Sequence, residues 1–184
     1  MMLEFATAIL FTAGWSVVFA YRTEDLTETL PALEPAERWV SYGMIAANSL
    51  NMAVGCLLIT LTEVSLASAI VGVVVYLLGI GLWFWGRTQI CPLDMKKLPG
   101  QAPLRLRRDG AFGLVRHPLY CGMILAGLAP LLVTRSPLVL LTFIPCVVVM
   151  RMRMVQEERV LRQQLGAEYE DYQRQVSQLI PWLW

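Results

Sequence analysis

A chain of 184 residues with 57% hydrophobic and 16% charged side chains is too apolar for an ordinary soluble domain and reads as an all-α, polytopic membrane protein. Its net charge of +1 gives no global basic field, which argues against nucleic acid as a partner. One histidine and four cysteines without Cys-x-x-Cys spacing (Cys56, Cys91, Cys121, Cys146) support neither a metal site nor a disulfide framework, so the cysteines are expected to be small apolar residues.

Five apolar runs follow in chain order: Leu3 to Tyr21, Trp39 to Thr62, Val64 to Trp85, Pro118 to Val133 and Pro137 to Met150. Against the roughly 20 residues a helix needs to cross the hydrocarbon, the first three are full spans and the last two are short. Met1-Met2-Leu3-Glu4 lacks the basic region of a signal peptide, so the first run is kept as a span. The last two are separated only by Thr134-Arg135-Ser136. They form a helical hairpin that spans the bilayer or dips most of the way through it, spanning being the simpler reading.

Asn48 and Asn51 place a polar patch on the second span. Ser65, Ser68, Gly72, Tyr76 and Gly79 give the third a face small enough for close helix contact. Pro130 and Pro145 are expected to kink the fourth and fifth spans where neighbours satisfy the freed carbonyls. The segment Thr88 to Gly110, with Pro92, Pro99 and Pro103, is a loop, either a lid or a simple connection.

After Met150 the pattern becomes amphipathic. Glu158, Leu161 and Leu165 share one helical face, Gly166 is placed as a cap, and Tyr169, Tyr172, Val176 and Ile180 mark a second face before Pro181. The tail is expected to fold back on the bundle. The organisation is a single domain: residues 1–85 carry three spans, 86–117 a cytoplasmic loop, 118–150 the hairpin and 151–184 a cytoplasmic tail.

Seven basic residues lie between Arg87 and Arg116 and five between Arg151 and Arg174. Cytoplasmic loops are enriched in Lys and Arg, so five spans with the N-terminus outside and the C-terminus cytoplasmic leave only Arg135 on the far side. The first cytoplasmic loop, Arg22 to Arg38, is acidic (Glu24, Asp25, Glu28, Glu34, Glu37). Lys96, Lys97, Arg105, Arg107 and Arg108 are either topology determinants or contacts to anionic head groups.

The chemistry-bearing groups gather in Arg116-His117-Pro118-Leu119-Tyr120-Cys121-Gly122 and in Glu157-Glu158. Ionisable residues at the edge of a membrane bundle are costly and are usually kept for binding or catalysis. Taken singly, each has a plainer role: His117 as a helix cap, Pro118 as a helix starter, Glu157 and Glu158 as a solvated face, Tyr169 and Tyr172 as an interfacial belt. Adjacent helical positions point about 100° apart, so the two glutamates cannot both face one atom. One is expected to meet a ligand and the other to pair with Arg153, Arg162 or Arg116.

The joint pattern Arg-His-Pro-x-Tyr-x-Gly followed by Glu-Glu-x-x-Leu-x-x-x-Leu-Gly-x-x-Tyr-x-x-Tyr resembles the isoprenylcysteine carboxyl methyltransferases and the related phospholipid N-methyltransferases over Gly110 to Pro181. The resemblance implies an integral membrane enzyme that binds S-adenosylmethionine between its last helices and tail and methylates a lipophilic acceptor, a prenylated thiol or carboxylate or a phospholipid amine. Arg116, His117 and Glu158 would be catalytic. His117, Pro118, Tyr120, Gly122, Glu157, Glu158 and Leu161 would surround the cofactor, with Gly79-Ile80-Gly81 matching a family Gly-x-Gly. Such a cofactor needs acceptors for its ammonium and ribose hydroxyls, which the glutamates supply. It needs donors for its carboxylate, which Arg116, His117 and Tyr120 supply.

The chain departs from the family at Phe112 and Gly113, where relatives often carry Tyr and a basic residue. It also lacks, in Val176-Ser177-Gln178-Leu179-Ile180-Pro181, the Arg usual near the end of the tail. Two other readings stand beside the first: an NADPH-dependent oxidoreductase like the sterol reductases, which have a similar tail, and a non-catalytic membrane protein retaining the scaffold.

Overall fold

The computed structural model describes residues 1–29, 35–89 and 106–181. Their regular structure is helical: α1 (Met2–Thr29), α2 (Pro35–Leu61), α3 (Leu66–Gln89), the single turn α4 (Ala111–Leu114), α5 (Pro118–Thr134), α6 (Leu138–Leu165) and α7 (Ala167–Gln175). Cys91, Lys96, Lys97, Arg105 and most of the Thr88 to Gly110 loop lie outside the described residues, as do the side chains of the acidic segment Glu24 to Glu37.

Local chemistry sets the helix ends. Ser65 Oγ accepts the Ser68 backbone N–H at 3.2 Å, which caps the start of α3. Pro118 occupies the first turn of α5, where its missing N–H costs nothing. Gly166, at φ 54°, closes α6 with its N–H on the Arg162 carbonyl and turns the chain directly into α7.

Three helical stretches are long and apolar enough to cross a membrane: Arg38–Leu61, Leu66–Gln89 and Leu138–Leu165. The apolar part of α1, Met2–Val18, and α5, Pro118–Thr134, are shorter. One expectation is corrected here. The last run, expected to be short, belongs to a helix of 28 residues that passes Met150 without a break, and α1, also 28 residues, covers the whole of the first run. Pro145 is absorbed inside α6, and nothing from Arg151 to Gln164 stops a helix; only Gly166 does.

The α3–α5 crossing is the most extensive in the bundle. Gly79 and Gly122 make it possible: a Cβ on Gly122 would sit 2.6 Å from the Gly79 carbonyl oxygen, and a Cβ on Gly79 would sit 2.6 Å from the Ala126 nitrogen. The small face expected on α3 is therefore a packing face, with Ser68, Gly72, Tyr76 and Gly79 buried. The Tyr76 hydroxyl donates to the Phe11 carbonyl at 2.6 Å and ties α1 to α3. Asn51 joins three helices, donating to the Gly127 carbonyl of α5 at 3.0 Å and accepting from Thr142 of α6 at 2.9 Å. Unsatisfied side-chain amides are costly in an apolar interior, so this bridge fixes the helices' mutual register.

Leu57, Leu61, Ile70, Val74, Leu78, Leu141 and Ile144 point outward and are exposed, the arrangement of a bundle whose outer surface meets lipid. At the end of the bundle where α3 finishes and α5 begins, Arg107 donates to the Gln89 carbonyl at 2.5 Å, and Gln89 Oε1 accepts the Ala111 N–H at 2.9 Å. This hangs α4 from α3 and delivers the chain to Arg116 and His117.

Candidate functional site

His117 precedes α5 but does not cap it with its side chain. Its backbone N–H and that of Arg116 instead donate to the carbonyls of Gln178 and Ser177, at 3.1 and 2.8 Å, so the segment after α7 pairs with the segment before α5. That frees the imidazole to turn toward α6. His117 Nε2 lies 3.1 Å from Glu158 Oε1, and Nδ1 lies 3.8 Å from Glu157 Oε2. The two glutamates, which cannot face one atom, face opposite nitrogens of one ring.

Glu158 is nearly enclosed, its side chain 7% exposed. Its Oε1 accepts from Arg116 Nε at 3.2 Å, from Gln178 Nε2 at 3.1 Å and from the imidazole; its Oε2 accepts from Gln173 Nε2 at 2.9 Å, with Arg162 Nη2 at 3.5 Å. A carboxylate offers about four lone-pair sites, so Glu158 is saturated. Burial alone would raise its pKa; the His117 hydrogen bond and charge, followed by those of Arg116, outweigh it and hold the carboxyl at about 2.

Glu157 differs. Its Oε1 accepts from the Tyr120 hydroxyl at 2.5 Å and from Arg153 Nε at 3.1 Å, but its Oε2 has no hydrogen bond among the described residues, and the side chain is 31% exposed. Arg116 gives Nε to Glu158 and Nη1 to the carbonyls of Gln173 (3.1 Å) and Val176, leaving Nη2 without a hydrogen bond among the described residues. His117 Nε2 donates to the Glu158 carboxylate, and Nδ1 faces Glu157 Oε2 across 3.8 Å.

Of the residues expected at the site, Arg116, His117, Tyr120, Glu157 and Glu158 converge. Pro118 is buried at the start of α5, and Leu161 is half-buried one turn beyond Glu158. Gly79 and Gly122 lie in the α3–α5 contact, whereas Gly81 faces open space on the outside of α3, where an added Cβ would meet nothing within 4 Å. Pro118 keeps its plainer role as a helix starter, but Tyr169 and Tyr172 are buried, not belted at an interface, and the Tyr172 hydroxyl donates to the Phe112 carbonyl at 2.6 Å. Helix α7 ends at Gln175, so Val176 and Ile180 do not extend its face, and Ile180 is exposed.

Sequence reasoning missed Gln173 and Gln178, which are exchangeable polar residues in any helix-turn pattern. The one available signal was that Gln178 falls in the segment lacking the Arg usual in the resembling family. The structure gives Gln178 an amide donor's place on Glu158.

A family model described as phospholipid methyltransferase matches residues 50–168, about two-thirds of the chain, and takes in α3, α5, α6 and every convergent residue above. The chain belongs to the phospholipid methyltransferase family. None of the curated proteins and none of the solved structures matches it. As a family member it is an integral membrane protein of the methyltransferase class, and the matched segment stops just short of Tyr169, so Gln173 of α7 and Gln178, on the strap after α7 that pairs with Arg116 and His117, lie beyond it.

Proposed function

We propose that this family member is an S-adenosylmethionine-dependent methyltransferase whose site lies at the cytoplasmic end of the bundle and whose acceptor is lipophilic, a prenylated thiol or carboxylate or a phospholipid amine. The observation that carries the reading is the single imidazole bracketed by Glu157 and Glu158, set at the bundle edge between α5, α6 and the tail strap.

The residues fit the cofactor. Glu157 Oε2 is an open carboxylate acceptor suited to an ammonium or to ribose hydroxyls, and Arg116 Nη2 is an open donor suited to a carboxylate. Glu158, already saturated, is better read as the group that orients Arg116 and His117 than as a ligand contact. When bound, S-adenosylmethionine supplies a methyl group already activated on a sulfonium.

The protein's share of the work is positioning and exclusion of water, which the pairing of Arg116 and His117 with the strap provides on one side of the site. A carboxylate or thiolate acceptor needs no further help. An amine acceptor must lose a proton, which His117 or Glu157, whose Oε2 lies 3.8 Å from His117 Nδ1, would take.

The test is a calorimetric titration of the folded, detergent-purified chain with S-adenosylhomocysteine and, in parallel, with NADPH, followed by methyl transfer from labelled donor into extracted lipid. Saturable binding of S-adenosylhomocysteine alone and label in the lipid phase are expected. Binding of NADPH alone would transfer the chain to the reductase reading, and binding of neither to the non-catalytic one.

A further inference from the structure

The outer face of α6 carries an unassigned feature. Leu141, Ile144, Val148, Met152 and Val155 are all exposed and recur at three- and four-residue steps, forming one lipid-facing stripe. The stripe runs into a groove of about 390 Å³ lined by Arg151, Val155, Glu158, Arg159, Arg162 and Gln163. Arg159 continues the stripe itself, with Arg151 and Arg162 along its flank.

Charge accounting singles out two of these arginines. Arg107, Arg108, Arg116, Arg153, Arg162 and Arg174 each face a carboxylate within 4.0 Å. Arg151 and Arg159 are exposed and, among the described residues, have no such partner. They stand eight residues apart, about 12 Å along the axis, close enough for two long side chains to converge on one anion.

Depth agrees. Counted from Leu138, roughly 20 residues of helix cross the hydrocarbon, which puts Val155 to Gln163 at head-group level and lets Arg151 reach up to it by snorkelling. A free anion would have no use for the apolar stripe that leads into the groove; a lipid would use both parts.

We infer that this groove is a docking site for one anionic membrane phospholipid, its phosphate held by Arg151 and Arg159 and its chains laid along Val155, Met152 and Val148. The inference is independent of the methyltransferase reading. It gives the charged half of α6, which carries Glu157 and Glu158, a fixed height against the bilayer surface.

The test uses the full chain in detergent, titrated with dioleoylphosphatidylglycerol or dioleoylphosphatidylcholine and read by native mass spectrometry. One phosphatidylglycerol is expected to be retained in preference to phosphatidylcholine. The double variant Arg151→Gln/Arg159→Gln should bind it roughly thirtyfold more weakly, from about one surface-arginine contribution per site. Arg151→Lys/Arg159→Lys should recover much of the loss, and Arg174→Gln, which removes a single positive charge from the tail, should bind like the unmodified chain. S-adenosylhomocysteine affinity should be unchanged in the glutamine pair.

Equal phosphatidylglycerol binding by the glutamine pair would overturn the inference, as would an equal loss in Arg174→Gln, which would mean non-specific charge. Displacement of the lipid by inorganic phosphate would make the groove a free-anion site. Loss of S-adenosylhomocysteine binding in the glutamine pair would assign the groove to the cofactor instead.

Discussion

Glu157 and Glu158 are neighbours in sequence with opposite circumstances, and each makes a separate prediction. Glu158 is enclosed and holds Arg116, His117, Gln173 and Gln178 together, so Glu158→Gln leaves Arg116 buried beside a neutral amide and should cost about 3 kcal/mol of stability. Its folded carboxyl, at about 2, lies below its ordinary value of 4.5. A depressed value stabilises the fold fully above about pH 4.5, and that contribution is lost as pH falls toward 2. Melting curves in detergent should therefore decline across that window, and Glu158→Gln should flatten the decline; a parallel decline in the variant would place the acid-sensitive group elsewhere. Glu157 is part-exposed and has a spare oxygen, so Glu157→Ala, which releases Tyr120 and Arg153 as well, should lower the melting temperature less than Glu158→Gln does. It should weaken S-adenosylhomocysteine binding by about ten- to a hundredfold, the worth of a charge-assisted hydrogen bond. Unaltered affinity by calorimetry would remove Glu157 from the ligand. At this scale the sequence displayed the ionisable residues, since a histidine and paired carboxylates are conspicuous in an apolar chain. It could not separate the two glutamates, because what distinguishes them is donation from Gln173 and Gln178, residues with no pattern of their own.

Among the elements, the α3–α5 crossing decides where His117 and Tyr120 sit, because α5 begins with them. Gly122→Ala would bring a methyl group to 2.6 Å from the Gly79 carbonyl oxygen and 2.8 Å from the Trp83 nitrogen, backbone atoms that cannot swing aside. Overpacking of this kind typically costs about 1–3 kcal/mol, and the displaced helix start should lower S-adenosylhomocysteine affinity together with stability. Gly81→Ala meets open space and should leave both untouched; a selective loss of affinity in that variant would restore the Gly-x-Gly to the ligand site. The small face of α3 was legible from its spacing, but its partner was not, since periodicity says which face is buried and not against what. The continuity of α6 was misread for a related reason: the shift from apolar to charged residues after Met150 looks like a boundary, yet a helical backbone is indifferent to polarity and stops at Gly166, where a positive φ is needed.

For the molecule as a whole, the bilayer made the helical class and the order of the elements readable, because a chain crossing hydrocarbon must satisfy its backbone internally. The strap was not readable: the pairing of Arg116 and His117 with Ser177 and Gln178 joins segments about sixty residues apart through backbone atoms, which carry no side-chain signature. The strap matters to sidedness, since it brings α7 with Arg174 to the end already occupied by Arg87, Arg107, Arg108, Arg116, Arg153 and Arg162. The opposite end holds Arg135, whose guanidinium reaches Ser65 Oγ at 3.4 Å. Positive charge is retained on the cytoplasmic side, so the site end should face the cytoplasm. With the three cysteines Cys56, Cys121 and Cys146 and the fourth, Cys91, replaced by serine, a cysteine at Ser136 should react with a membrane-impermeant maleimide in intact cells. A cysteine at Gln175 should react only after permeabilisation. The reverse result would put Glu157 and His117 outside the cell, away from the cytoplasmic pool of methyl donor, and would count against the methyltransferase reading as directly as a failed titration.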